Sequence, residues 1–210
     1  MAIRVYWGGE LFDGRHLIGN AMLAEAVAAV SGGRFQPVLP QECAPEKTTL
    51  ELRDEDYSML LSCDAMLAIL DGSDPDSGTT AELLFAKMLD IPVLLLRTDF
   101  RSSGDGGDPW NLMCSGFPRS RKLVVNGMAL WHEVKRRASG ASEREYPAEL
   151  ARRIAAELEA VCAMTPVFRF EELPGVFRNV LRAAGGSLNV RWPEEKLRCL
   201  LEEKHAKGVC

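Results

Sequence analysis

The stretch LDGSDPDSGTTAE, residues 70–82, decides the predicted fold of this chain. It starts at the end of an uninterrupted apolar run, residues 66–70, which is typical of a strand buried on both faces of a parallel sheet. Three aspartates crowd the loop that follows, and Glu82 lies in the first turn of a helix that we predict from Thr79 onward. Because ligands of open α/β sheets bind outside the carboxyl ends of the strands, these carboxylates predict a ligand site.

Strand and helix patterns alternate through the first 164 residues. Apolar, β-branched and aromatic runs predict strands at residues 3–7, 35–40, 65–70, 91–96 and 123–125. Helical spacing of apolar side chains predicts helices at residues 16–30, 46–62, 79–89 and 146–164. Pro37 lacks a backbone N–H, so we expect the second strand at a sheet edge. This order predicts an α/β fold, a doubly wound parallel sheet with helices on both faces.

The pattern changes after Pro166. We therefore predict one α/β domain at residues 1–164 and a C-terminal helical appendage of unknown role at residues 165–210. The appendage holds two helical patterns, residues 174–184 and 193–206, which Gly185 and Gly186 separate.

Composition excludes several classes of function. A net charge of −5 is not that of a protein that binds a nucleic acid polymer. The six cysteines form no C-x-x-C motif and the three histidines lie far apart, so we expect neither a disulfide framework nor a metal site, and a reducing cytoplasm. The first residues enter a strand pattern without the apolar core of a signal peptide, and no apolar run reaches the roughly 18 residues of a membrane span. We expect a cytoplasmic protein without a membrane partner.

Glu82 has a purely structural alternative. Thr79-x-x-Glu82 matches a capping box, in which the hydroxyl accepts a backbone N–H and the carboxylate reaches back to the cap. The aspartates of the same turn weaken this interpretation, because clustering like charges is unfavourable unless the cluster has a function. Both interpretations stay open at this point.

Three segments of the chain resemble the nucleoside 2-deoxyribosyltransferase family. VYWGGELF, residues 5–12, is similar to the family's opening strand and its base-binding loop. LDG, residues 70–72, with DSGTTAE, residues 76–82, is similar to the family's D-x-G-x-x-x-E nucleophile segment. NLM, residues 111–113, is similar to a segment that the family inserts into a neighbouring subunit's site. The resemblance covers about three-fifths of the chain and implies a flavodoxin-like α/β fold, a role in nucleotide salvage and no cofactor.

The resemblance also implies roles for single residues. Glu82 would attack C1′ of the sugar, and the phenol of Tyr6 would orient it. Asp71 and Asp76 would contact the nucleobase and handle its proton, although the short loop between them leaves their division of labour open. Asn111 of another subunit would hold the 5′-hydroxyl, so the protein would be a homodimer or a higher homo-oligomer with shared active sites. The further substrate-binding residues would be Gly8, Gly9, Phe12, Ser77, Gly78 and Met113.

The chemistry of N-glycosidic cleavage needs these residue types. Positive charge builds on the sugar ring, and a carboxylate below C1′ stabilises it and then bonds to it, as in retaining glycosidases. A helix N-terminus favours the ionised form of Glu82 by about 0.3–1 kcal/mol. The leaving base needs a proton, and mutual repulsion among Asp71, Asp74 and Asp76 would raise the pKa of one of them.

Two other functions remain possible on the sequence. If water attacks the intermediate, the enzyme is a hydrolase of a nucleoside or of a nucleoside 5′-monophosphate, for which only Arg15 and Ser77 are suggestive phosphate ligands. A nucleotide-sensing module without catalysis is the third alternative, and a sensor has no need of Glu82 together with Tyr6. The expected partners are a small nucleoside and a free nucleobase.

Aromatic residues near these motifs have two interpretations. Trp7, Phe12 and Trp110 are candidates to stack on a base, but each fits an ordinary core position as well. We expect Trp110 and Met113 to dock on the neighbouring subunit, because a polar loop at residues 101–108 leads up to them. Arg101 is a candidate ligand cation, and a structural ion pair is the simpler interpretation.

Overall fold

The computed structural model describes residues 1–43, 48–101, 104–137 and 142–210. Its sheet is entirely parallel, with the strands in the order β2-β1-β3-β4-β5. This is the flavodoxin-like order, and its switch point lies between β1 and β3, where ligands of such sheets bind. The strands are Ile3–Gly8 (β1), Phe35–Val38 (β2), Ala65–Ile69 (β3), Val93–Arg97 (β4) and Ser120–Val124 (β5).

The predicted strands are all present, and the strand that holds Pro37 lies at an edge of the sheet as expected. β1 alternates its side chains between the two faces, so Val5 and Trp7 point to one face and Tyr6 to the other. β3 and β4 are covered on both faces, which explains why residues 65–69 and 93–96 are all apolar.

The helices differ from the prediction at several ends. The described helices are Gly14–Val30 (α1), Thr49–Ser62 (α2), Ser77–Met88 (α3), Gly127–Arg137 (α4), Ser142–Cys162 (α5), Leu173–Ala184 (α6), Leu188–Arg191 (α7) and Glu194–Ala206 (α8). The predicted start of α2 at residue 46 lies outside the described residues, and the helix begins after a capping box on Thr48. α4 was not predicted, and its core contact rests on Leu130 and Val134, which are too few to produce a clear apolar pattern in the sequence.

Each face of the sheet carries its own helices. α1, α4 and α5 cover the face of Val5 and Trp7. The opposite face, with Tyr6, packs against α2 and α3 and also against α6, α7 and α8. None of the helices in the described part of the chain combines the length and the apolar character needed to cross a bilayer.

The C-terminal residues share the core of the α/β domain. Seven side chains from α6 to α8 and the link before α8 are buried in the same apolar cluster as Tyr6, namely Leu173, Phe177, Leu181, Leu188, Trp192, Leu197 and Leu201. Lys207 Nζ lies 2.8 Å from Asp64 Oδ2, and Arg119 Nη2 donates to the carbonyl of Val209 at 2.6 Å. The segment is therefore fixed to the domain by apolar and by polar contacts.

Candidate active site

Tyr6 and Glu82 form a hydrogen-bonded pair at the switch point of the sheet. The phenol of Tyr6, which is fully buried on β1, donates to Glu82 Oε1 at 2.6 Å. Glu82 reaches this position from α3, which follows β3 directly. The second carboxylate oxygen, Oε2, is left without a hydrogen bond among the described residues, and it faces the end of β1 near Gly8.

The prediction that α3 begins at Thr79 is wrong. The helix begins at Ser77, and Asp76 is its N-cap, whose Oδ2 accepts bonds from the Thr79 N–H at 2.7 Å and from the Thr79 hydroxyl at 3.0 Å. Glu82 therefore lies in the second turn and caps nothing, so the capping-box alternative is wrong as well. The N-terminal dipole also stabilises the Glu82 anion less than expected, because this effect fades after the first turn.

The surroundings of Glu82 hold its carboxyl group near the point of half-ionisation at neutral pH. Burial raises the pKa of Glu82 to about 7, against the hydrogen bond from Tyr6, which lowers it. The charges of Asp56 and Asp76 raise this pKa further. Burial, followed by the charge of Glu82, raises the pKa of Tyr6 far above its usual range, so the phenol keeps its proton and acts as a donor.

Asp56 is a member of this site that sequence reasoning missed. It lies on α2 and is half-buried, and its negative charge contributes to raising the pKa of both Tyr6 and Glu82. Burial and the neighbouring Glu55 raise the pKa of Asp56 itself. The sequence contained one signal, because Asp56 stands one helical turn before the fully buried Leu60 and therefore on the inner side of α2.

Two glycines leave room beside the carboxylate. A Cβ atom at Gly8 would lie 3.2 Å from Glu82 Oε2 and only 2.6 Å from Met66 Cε. A Cβ atom at Gly9 would lie 3.2 Å from Ile69 Cβ. A side chain at Gly8 would thus shift the end of Met66 and crowd the Glu82 carboxylate.

The predicted cluster of three aspartates is dispersed in the structure. Asp71 Oδ1 accepts the N–H groups of Thr98 at 2.5 Å and Asp99 at 2.8 Å, and its Oδ2 accepts the Thr98 hydroxyl at 2.6 Å. It therefore ties the end of β3 to the end of β4. Asp76 caps α3, and Asp74 is exposed. Because each carboxylate has its own surroundings, mutual repulsion does not organise this turn.

The other predicted site residues differ in their accessibility. Phe12, at 74% exposure, and the neighbours Ser77 and Gly78 at the start of α3 are open to solvent. Trp7 and Trp110 are buried, so neither ring is free to stack on a base, and the expectation that Trp110 docks on another subunit is wrong. Its indole instead donates to Ser115 within its own chain at 2.9 Å.

The segment after Trp110 faces outward. Asn111 is exposed, and its Oδ1 accepts the N–H of Met113 at 2.9 Å, which leaves the amide N–H₂ group pointing to no described partner. Met113 is 70% exposed. The structure thus leaves the Asn111 amide donor and the Met113 side chain open to solvent.

Two arginines that were candidates for ligand contacts are paired locally. Arg101 forms an ion pair with Asp99, and its Nε donates to Asp99 Oδ1 at 3.0 Å. Arg15 Nη2 lies 2.8 Å from Asp13 Oδ2, and its side chain is almost fully in solvent. Among the described residues, no three His, Cys, Asp or Glu side chains converge as metal ligands would.

A cavity of about 290 Å³ lies on the other face of the sheet, between α1 and α5. Leu23, Ile69, Leu96 and Leu150 form its apolar wall, and Tyr146 lies at its polar side with Asp71. Glu82 does not line it, because α3 packs on the opposite face. The Glu82 site is therefore separate from this cavity.

A comparison with protein families gives a match over the first part of the chain. A family model described as nucleoside 2-deoxyribosyltransferase matches residues 5–113, slightly more than half of the chain. The matched range contains Tyr6, Asp56, Asp76, Glu82 and Asn111. Among curated proteins, none matches this chain.

Solved structures resemble parts of the chain. A conserved protein from Enterococcus faecalis V583 has 25% identity and a TM-score of 0.51, and the match covers 66% of this chain and 100% of that one. A 2-desoxiribosyltransferase from Leishmania mexicana has 26% identity, a TM-score of 0.45, and coverage of 54% and 86%. A 2-deoxyribosyltransferase from Bacillus psychrosaccharolyticus has 20% identity, a TM-score of 0.44, and coverage of 57% and 86%.

Proposed function

The chain belongs to the nucleoside 2-deoxyribosyltransferase family, and on that premise we propose that it cleaves the N-glycosidic bond of a 2′-deoxynucleoside and transfers the sugar to another nucleobase. The observation that carries the proposal is the buried pair of Tyr6 and Glu82, joined at 2.6 Å at the switch point of the sheet. Burying a carboxylate costs desolvation free energy. A carboxylate with one oxygen held by a phenol and the other oxygen free to react is suited to act as a nucleophile.

Glu82 is the proposed nucleophile. Its Oε2 forms a bond to C1′ of the sugar while the bond from C1′ to the base nitrogen breaks, and the electron pair of that bond leaves with the base. Tyr6 holds Oε1, so that Oε2 is the oxygen free to react. In the second half of the reaction the nitrogen of an acceptor base attacks C1′, and Glu82 leaves as a carboxylate.

The leaving base needs a proton, and we assign its supply to the carboxyl groups that face Glu82. Burial and the charge of Glu55 raise the pKa of Asp56, so we assign it the role of carrying this proton from solvent to a base nitrogen. Asp76 caps α3 through its Oδ2 atom alone. We assign its Oδ1 atom to a contact with the base or with the sugar. Asp71 contributes by holding the strand ends that carry the loop, through its bonds to Thr98 and Asp99.

The remaining predicted residues complete the proposed substrate site. Gly8 and Gly9 let the substrate approach the backbone, and the exposed ring of Phe12 stacks on the base. Ser77 and Gly78 lie beside Asp76 at the open start of α3. Asn111 and Met113 come from a second copy of the chain, with the Asn111 amide donating to a sugar hydroxyl.

One incubation tests the reaction class. The protein is mixed with deoxyinosine and free adenine, and the products are separated by chromatography. We expect deoxyadenosine and hypoxanthine to form together, with little hypoxanthine released when adenine is left out. Hypoxanthine release at the same rate without adenine identifies a hydrolase, and absence of any product with purine and pyrimidine deoxynucleosides contradicts the proposed function.

Tyr6→Phe is expected to move the acid limb of the pH profile. Glu82 attacks as an anion, so kcat/KM of the wild type should fall below about pH 7, where the pKa of Glu82 lies. The variant loses the hydrogen bond that lowers this pKa, so the limb should move to higher pH. We expect a loss of about 10-fold at pH 6 that shrinks at pH 8.5. Tyr146→Phe, on the opposite face, is the control and should keep the wild-type profile. An equal loss at every pH would contradict this role of Tyr6.

A further inference from the structure

The C-terminal helices make direct contact with α2, the helix that carries Asp56. Leu188, the first residue of α7, and Trp192, which directly follows α7, are buried in the same cluster as Leu60 and Leu61 of α2. This segment lies beyond residues 5–113, which the family model matches. Its contacts with α2 are therefore a feature of this chain and are not described by that match.

A buried carboxylate forms the polar part of the contact. Asp54 on α2 is only 1% exposed, and its Oδ2 accepts the Ser187 N–H at 2.6 Å and the Ser187 hydroxyl at 2.7 Å. Its Oδ1 accepts Arg53 Nη2 at 2.6 Å. Burial by itself would raise the pKa of Asp54, but the bonds from Ser187 and Arg53 outweigh it and lower that pKa. Asp54 is thus held as an anion by donors from both segments.

The turn before α7 is shaped to reach Asp54. Gly186 has a φ of +60°, and a Cβ atom there would lie 2.4 Å from Asp54 Oδ2. Arg191 Nε donates to the Ser187 hydroxyl at 2.7 Å, and Arg191 Nη1 lies 3.6 Å from Glu55 Oε2. Ser187 is therefore fixed on one side by Asp54 and on the other by Arg191, and it cannot turn away from α2 without losing both.

The next residues of α2 connect this contact to Glu82. The Arg53 guanidinium lies 5.8 Å from the centre of the Tyr57 ring, and that ring stacks on Phe85 with centroids 4.3 Å apart. Phe85 stands one turn after Glu82 on α3. The negative charge of Glu82 contributes to raising the pKa of Tyr57, and the negative charge of Asp56 contributes to raising the pKa of Glu82. We call Asp56 and Tyr57 the α2 wall of the site.

We propose that the C-terminal helices position the α2 wall, with Ser187 acting through Asp54 as a positioning residue for Asp56 and Tyr57. The proposal rests on the proposed function, because it takes Glu82 as the reacting carboxylate. Proper placement of groups around a nucleophile matters to the reaction, since a displacement of 1 Å can cost on the order of 100-fold in rate. The C-terminal segment is then a part of the catalytic apparatus and not only a cover for the core.

The test measures the ionisation of Glu82 directly. Carboxyl ¹³C NMR of the 210-residue chain follows the titration of Glu82, whose signal is assigned by its absence in Glu82→Gln. The groups that face Glu82 are Tyr6 on β1, Asp56 and Tyr57 on α2, and Asp76 at the start of α3. Of these, only the two on α2 depend on Ser187. In Ser187→Ala we expect the titration midpoint of Glu82 to fall, because Asp56 moves away, and kcat/KM to fall about 10-fold.

Matched variants separate positioning from stability. Ser187→Thr keeps the hydroxyl and should restore the midpoint, and Arg191→Gln is a milder variant should Ser187→Ala fail to fold. Arg178→Ala is the control, because the pair with Glu194 that it removes lies inside the C-terminal segment. A lower Tm in Ser187→Ala with a wild-type midpoint and wild-type kcat/KM would overturn the proposal. If the wild type turns over no nucleoside, the proposed function fails, while the NMR midpoint still shows whether Ser187 reaches Glu82.

Discussion

Glu82→Ala is expected to lower kcat/KM for a deoxynucleoside by at least about 10⁴-fold, as removal of a covalent nucleophile does in other enzymes. The remaining carboxylates of the site have no phenol that fixes one of their oxygens: Asp76 is committed to Thr79, and Asp71 to Thr98 and Asp99. They cannot replace Glu82 below C1′. The measurement is the rate of base release, followed by chromatography over a pH range from 6 to 9.

The fold of this variant should persist. Glu82 caps no helix end, and its removal relieves the site of a partly desolvated carboxyl group. The Tyr6 hydroxyl loses its partner, which costs about 1–3 kcal/mol if no water replaces it. We therefore expect circular dichroism spectra like those of the wild type and a Tm within a few degrees.

Two further observations separate the nucleophile from a merely electrostatic carboxylate. Glu82→Gln preserves the shape and an acceptor for Tyr6, and it should be as inactive as the alanine variant, because an amide oxygen does not bond to C1′. The wild type, quenched after mixing with a deoxynucleoside without acceptor, should gain the mass of one deoxyribosyl group. Substantial turnover by Glu82→Gln, or the same adduct on Glu82→Ala, would contradict the covalent mechanism.

The sheet was predictable from the sequence because its strands are defined by local composition. Residues 65–69 of β3 and 93–96 of β4 are all apolar, and such short runs are typical of strands buried on both faces. Pro37 fixed the position of β2 at an edge, since a proline cannot donate to a second neighbour. These two facts, with helices between the strands, leave few arrangements other than a doubly wound sheet.

The start of α3 was not predictable from local rules, because two caps compete in the same stretch. Asp76 can cap Thr79, and Thr79 can form a capping box with Glu82. The structure uses the first, since the second would turn Glu82 away from Tyr6. The choice between the two caps depends on Tyr6, which lies 76 positions before Glu82. Rules that consider only neighbouring residues do not include it.

The role of Asp56 was hidden for a related reason. It ends a run of four charged residues in α2, residues 53–56, and nothing near it distinguishes it from Asp54 or Glu55. Only packing shows that Asp54 turns to Ser187, Glu55 to Arg191, and Asp56 to the pair of Tyr6 and Glu82. Asp71 gives the opposite case, because its place after a buried strand suggested a ligand contact, while Thr98 occupies its oxygens.

The segment that holds Asn111 is built to present its side chains outward. Trp110 and Cys114 are both buried in the chain's own core and fix its two ends. Between them Leu112 and Met113 are exposed, and the Asn111 amide keeps its donor group free of described partners. Large apolar groups held out on a fixed turn are typical of a contact with another molecule. We propose that this contact is a second copy, whose Glu82 site Asn111 completes.

A mixing experiment tests this shared site, and its expected effect is a gain of activity from two inactive proteins. Glu82→Ala and Asn111→Ala are each expected to be nearly inactive alone. After subunit exchange, half of the dimers are mixed, and each mixed dimer has one site with both residues intact and one site with neither. Equal amounts should therefore recover about a quarter of the wild-type activity.

Exchange is verified by mass spectrometry of the intact dimers with one variant isotopically labelled. Ser115→Ala, which leaves Asn111 in place, is the control partner and should recover nothing beyond its own activity. No recovery after complete exchange, or full activity of a monomer in sedimentation, would show that each chain completes its own site.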